Sequence, residues 1–102
     1  MTNLELEKVE NLADSIGLKE VLRIFKKRSN NLTYAILNYK NSISDSKIIS
    51  QDEAYYNLAD EIGKILLSVN QIIYLLGDDF LNEIAESESF EANSWWERFF
   101  NK

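Results

Sequence analysis

The chain has 102 residues, 45% of them hydrophobic, which suits one domain built around one core. It has no cysteine, histidine or proline. Disulfides, thiolate or imidazole metal sites and a Ser-His-Asp triad are therefore excluded, and any catalysis would rest on carboxylates, lysines or a metal held by oxygen ligands. The net charge of −6 is unevenly spread: residues 1–17 carry four acids and one base, residues 18–41 six bases and one acid, and residues 42–102 twelve acids and four bases.

The first predicted helix opens on a capping box, Thr2 with Glu5. Leu6, Val9, Ala13 and Ile16 recur at spacings of three and four on one face, and Gly17 supplies a left-handed stop. A second helix is predicted from about Leu18 to Tyr39. Its stripe of Leu18, Val21, Leu22 and Phe25 resumes at Leu32, Ala35, Ile36 and Tyr39. The polar run Lys26–Asn31 between them is a place for a bend, because Ser and Asn are weak helix formers. A connection, Asn41 to Gln51, follows. The third helix starts at a second capping box, Ser50 with Glu53, and ends at Gly77. Tyr55, Ala59, Ile62, Leu66, Val69, Ile73 and Leu76 line one face, and Leu58, Ile65 and Ile72 widen it, so this broad face is expected to be buried. Gly63 within it suggests a close helix crossing.

Asp78 or Asp79 can cap a short fourth helix carrying Phe80, Leu81, Ile84 and Ala85. Residues 89–94 read as a connector. Ser94 and Glu97 form a third capping box, opening a last helical turn or two that holds Trp95, Trp96, Phe99 and Phe100. These four aromatics form an association patch wherever they stay exposed. The expected fold is a single all-α domain, an antiparallel bundle of about four helices plus a short aromatic C-terminal helix, completed by dimerisation. The acidic opening MTNLELEKVE has no apolar core, so no secretory leader is expected. The apolar stretch Ile62–Leu76 is interrupted by Lys64, Asn70 and Gln71 and is too short to span a bilayer. A cytoplasmic location without membrane contact is expected, and the acidic balance argues against general nucleic-acid binding.

Two stretches, Gly17–Asn41 and Tyr55–Ile84, resemble the all-α nucleoside triphosphate pyrophosphohydrolases, the MazG-like enzymes. The family pattern is a helix with E-E-x-x-E before L-x-x-A-I, then a helix with E-x-x-D leading into an apolar run. The resemblance implies a helical core shared between subunits and acids that bind magnesium. Here Leu32–Ile36, LTYAI, matches the segment after the first motif, which puts Lys27, Arg28 and Asn31 where three acids should stand. In the second motif Glu61 keeps its acid, while Lys64 replaces the Asp. Cations at ligand positions repel magnesium, so hydrolysis at this site is not expected. Lys27, Arg28, Asn31, Glu61 and Lys64 then have two readings. They form an anion site for a phosphorylated ligand, or the bases pair with Glu61, Asp60 or another acid as internal glue.

These features point to a non-catalytic MazG-like helical protein that acts by binding itself and a nucleotide, a phosphorylated ligand or a protein, as a phage or mobile-element accessory or inhibitor would. Trp95, Trp96, Phe99 and Phe100 are the interface candidates, and no cofactor is expected. One alternative is a small acidic immunity or anti-defence protein of a Gram-positive bacterium that neutralises one protein partner. A second is an active pyrophosphohydrolase with relocated carboxylates, in which Glu7, Glu10 and Asp14 on one helix face join Asp60 and Glu61 around magnesium.

Overall fold

The computed structural model describes residues 1–44 and 50–100, and every element among them is helical. Three helices follow in order: α1, Asn3–Ser44; α2, Gln51–Leu76; and α3, Asp78–Phe100. The predicted starts of α1 and α2 are present. Thr2 Oγ1 accepts from the Glu5 amide at 3.1 Å, and Ser50 Oγ accepts from the Glu53 amide at 3.1 Å, each satisfying an N-terminal donor that the helix leaves open.

Gly17 breaks α1 into two arms. Its φ of 83° and ψ of 164° lie in a region that essentially only glycine enters, rather than the left-handed helical well expected of a C-cap. A straight helix of this length would span about 63 Å, whereas the longest extent of the molecule is 44 Å. Both arms lie along α2. Before Gly17, Val9 and Asp14 meet Gln71 and Tyr74, so this arm rises with α2. After Gly17, Val21 meets Ile72 and Arg28 meets Lys64 and Ser68, so the second arm descends.

The polar run Lys26–Asn31 stays helical. Ser29 Oγ donates to the Phe25 carbonyl at 2.9 Å and Thr33 Oγ1 to the Ser29 carbonyl at 3.1 Å, so the hydroxyls bond back along the helix instead of opening it. The helix passes the predicted end at Tyr39 and runs to Ser44; of the predicted connection, residues 45–49 lie outside the described residues.

Gly77 caps α2, its amide donating to the Ile73 carbonyl at 2.8 Å, and α3 starts at the next residue. The separate fourth helix and aromatic end helix are one continuous helix, with residues 89–94 and Ser94 inside it. The physical reason is that no glycine or proline follows Gly77, while Ala85, Glu86, Glu88, Glu91 and Ala92 favour helix. Asp78 and Asp79 occupy its first turn, where acids suit the helix dipole.

The core lies in the α1–α2 seam, with Ile16, Phe25 and Leu75 packed against its cluster of Ala13, Val21 and Ile72. Ala13, Val21, Ala35, Ala54 and Ile72 are its buried hydrophobics, joined by buried Ser42, Ser68 and Gln71. The broad face predicted to be buried on α2 is covered only along one edge: Ile72 is buried and Leu58, Ile65, Val69 and Ile73 are half-buried, while Tyr55, Ile62, Leu66 and Leu76 are exposed, and the seam follows Ala54, Ser68, Gln71 and Ile72. Gly63 is not a close crossing, since a Cβ there would meet nothing within 4 Å. No helix among the described residues is long and apolar enough to cross a membrane.

Candidate functional site

The basic cluster is held by α1 beyond Gly17 and by the middle of α2. Arg28 is half-buried, and its Nη1 donates to Ser68 Oγ at 2.6 Å and to the Lys64 carbonyl at 3.3 Å. These bonds fix the register of α1 on α2. Lys64 turns along its own helix, with Nζ 3.0 Å from Asp60 Oδ2 and 3.5 Å from Glu61 Oε1. The hydrogen bond to Asp60, then the two carboxylate charges, raise the Lys64 pKa above its ordinary value. Lys27 and Asn31 are exposed, with no side-chain hydrogen bond among the described residues. Of the five, Lys64 lines a hollow on α2, and Arg28 meets Lys64 through its carbonyl. Arg28 is committed to the helix seam and Lys64 to Asp60 and Glu61.

Glu61 is half-buried, its side chain 12% accessible. Its Oε1 faces Lys64, and its Oε2 is buried without a partner. An unpaired buried carboxylate oxygen costs desolvation free energy of about 1–3 kcal/mol. A hollow of about 610 Å³ beside Lys64 is lined by Met1, Asp60, Gly63, Leu66 and Asn70 among others, with one base and one acid on its wall.

The relocated carboxylates are kept apart. Asp14 Oδ2 accepts from the Tyr74 hydroxyl at 2.7 Å, and Glu10 stands near the same tyrosine. Asp60 lies about 21 Å further back along α2, at 1.5 Å per residue. Among the described residues, no group of three or more acids could hold a metal ion. The Asp14–Tyr74 and Val9–Gln71 bonds are contacts that spacing did not flag, because each joins residues more than fifty positions apart.

The largest uncovered feature is apolar. The exposed face of α2 carries Tyr55, Ile62, Leu66 and Leu76, and α3 continues it with Leu81, Trp95, Trp96, Phe99 and Phe100. The tail aromatics stack pairwise at i and i+4, Trp95 on Phe99 at 5.5 Å and Trp96 on Phe100 at 4.8 Å between ring centroids. They remain 59%, 62%, 55% and 74% exposed for Trp95, Trp96, Phe99 and Phe100. The whole chain exposes 8043 Å², against about 5,900 Å² for a compact monomer of this mass. Its radius of gyration is 17.0 Å, against about 13 Å for a closed domain of this length. No family model, curated protein or solved structure matches the chain.

Proposed function

We propose that this is a non-catalytic helical protein of the MazG-like type that acts by binding, first to a second copy of itself and then to a protein partner. The observation that carries the reading is the surplus of exposed apolar surface along α2 and α3, whose large side chains have no cover within the chain. The α1–α2 seam buries few large side chains, Ile72 and Val21 chief among them, while Trp95, Trp96, Phe99 and Phe100, of the type enriched in interface centres, stay exposed.

A protein partner fits better than a phosphorylated ligand. A phosphate site needs donors that are free and convergent; here Arg28 Nη1 is turned to Ser68 and Lys64 Nζ to two carboxylates. A magnesium site is disfavoured by the same residues, since Lys64 holds the one acid retained from the family pattern. The test is incubation with magnesium and a panel of nucleoside triphosphates. We expect no pyrophosphate release. Turnover that disappears in Glu61→Ala would overturn the non-catalytic reading.

A further inference from the structure

Gly17 and Gly77 hold nearly the same backbone, φ 83° and ψ 164° against φ 97° and ψ −175°. Each joins two helices through a single residue. An antiparallel helical hairpin ordinarily uses a loop of two to five residues, so one-residue links leave the arms divergent. At Gly17 the divergent arms are filled, because α2 lies against both. At Gly77 they are not. An apolar cleft of about 330 Å³ remains there, lined by Leu22 and Phe25 of α1, Ile72 and Leu76 of α2, and Phe80 and Ile84 of α3. Among the described elements, the α3 backbone comes close to α2 only.

Charge identifies the occupant. α3 has seven acids and one base. Its apolar stripe of Leu81, Ile84, Trp95 and Phe99 is interrupted by Glu88 and Glu91, which keep the same three-four spacing. The face of α1 that borders the cleft is the reverse. Leu22, Ile36 and Ile43 are exposed at intervals that are multiples of seven, and Lys19, Lys26 and Lys40 follow the same heptad spacing beside them. These lysines form no ion pair among the described residues.

We propose that the cleft takes α3 of a second copy, laid along the Lys19–Lys26–Lys40 face of α1, with two copies exchanging α3 about a two-fold axis. This rests on the reading of the protein as one that works by association, and it names the surface. Burying the four tail aromatics removes on the order of 500 Å² from each α3. The receiving face loses a similar area. Two reciprocal contacts then reach about 2,000 Å², the size of a stable interface. The two-fold arrangement is isologous and closes without forming a fibre.

Charge reversal tests the exchange. One variant carries Lys19→Glu and Lys26→Glu, and the other Glu88→Lys and Glu91→Lys, all at exposed positions. Sedimentation equilibrium reads the dimer dissociation constant, and circular dichroism checks that helix content is kept. We expect each variant alone to dimerise at least about tenfold more weakly, and an equimolar mixture to recover wild-type affinity, because both α1–α3 contacts of the mixed dimer are again of opposite charge. A wild-type dimer that neither variant weakens would overturn the exchange and place the contact elsewhere, leaving the binding reading intact. Weakening without recovery in the mixture would also overturn it. So would a wild type that stays monomeric at about 100 µM, a level at which even micromolar affinity gives a dimer. The nucleotide experiment decides the non-catalytic reading independently of all three outcomes.

Discussion

The α1–α2 pair and α3 use opposite residues for the same task. The pair closes over alanines, serines, Val21 and Ile72, with Ile16, Phe25 and Leu75 packed beside them, and hydrogen bonds across it set its register: Arg28 to Ser68, Gln71 to Val9 and Tyr74 to Asp14. α3 has no buried residue and carries both tryptophans of the chain. Small side chains let two helix backbones approach closely within one chain, but they bury little area. Large side chains on a projecting helix bury much area only when another surface arrives. The pair therefore holds the shape of the chain, while α3 and the open side of α2 leave their large apolar side chains exposed.

The largest effect that would sharpen this contrast is on α3. Trp96→Ala combined with Phe100→Ala should weaken self-association by about 100-fold, close to 3 kcal/mol, as expected for central aromatic anchors. Helix content should barely change, since Trp96 and Phe100 stack on each other along α3 and both stay largely exposed. A comparable loss of thermal stability in the dissociated protein would show that the aromatics serve the protomer's own fold.

The glycines divide along the same line. Gly17→Ala should destabilise by about 2 kcal/mol, because alanine is strained at φ 83° and ψ 164° and the two arms of α1 depend on that turn. Gly63→Ala should stabilise by up to about 1 kcal/mol, since this helical position is open and alanine restricts the unfolded chain. Urea unfolding of both variants reads the difference. Equal destabilisation would mean that Gly63 is covered in the working protein.

Glu61→Gln should be neutral or stabilising by about 1 kcal/mol. The buried Oε2 has no partner, and an amide costs less to bury than a carboxylate. A loss of several kcal/mol on denaturant unfolding would show that the Glu61 charge, paired along α2 with Lys64 at 3.5 Å, stabilises the fold.

The smallest expected effect is a pH dependence at the other end of the seam. The Tyr74 hydroxyl donates to Asp14, and this bond, followed by desolvation and the nearby carboxylate charges, raises the Tyr74 pKa above the ordinary tyrosine value of about 10. A raised pKa places the stabilisation in full below pH 10 and removes it as pH climbs through the folded-state value. Lys64, raised by Asp60 and then Glu61, acts in the same direction. Wild type should therefore lose its advantage over Tyr74→Phe above about pH 10. A stability difference that stays constant from pH 8 to pH 11 would contradict the assigned bond.

The helix starts were legible because capping is local chemistry: Thr2 and Ser50 each find an amide three residues on. The breaks at Gly17 and Gly77 were legible for the same reason. The continuity of α3 was not, because Glu86–Ser94 looks like a polar connector although nothing in it stops a helix. The buried side of α2 was only partly legible. Its own chain covers the side holding Ala54, Ser68, Gln71 and Ile72, and apart from Ile72 hydropathy ranks these below the leucine and isoleucine stripe. At the basic cluster, Lys64 with Asp60 follows the i, i+4 spacing and was foreseen as one of two readings. Arg28 on Ser68 depends on helix register, which no local pattern encodes.

The claim on which the account turns is that one chain does not cover its own apolar surface. Light-scattering mass at about 10 and 100 µM, where an interface of this size is occupied, tests it directly. We predict a mass of about 24 kDa, twice the 11.9 kDa of the chain. A mass of 11.9 kDa at both concentrations would contradict it.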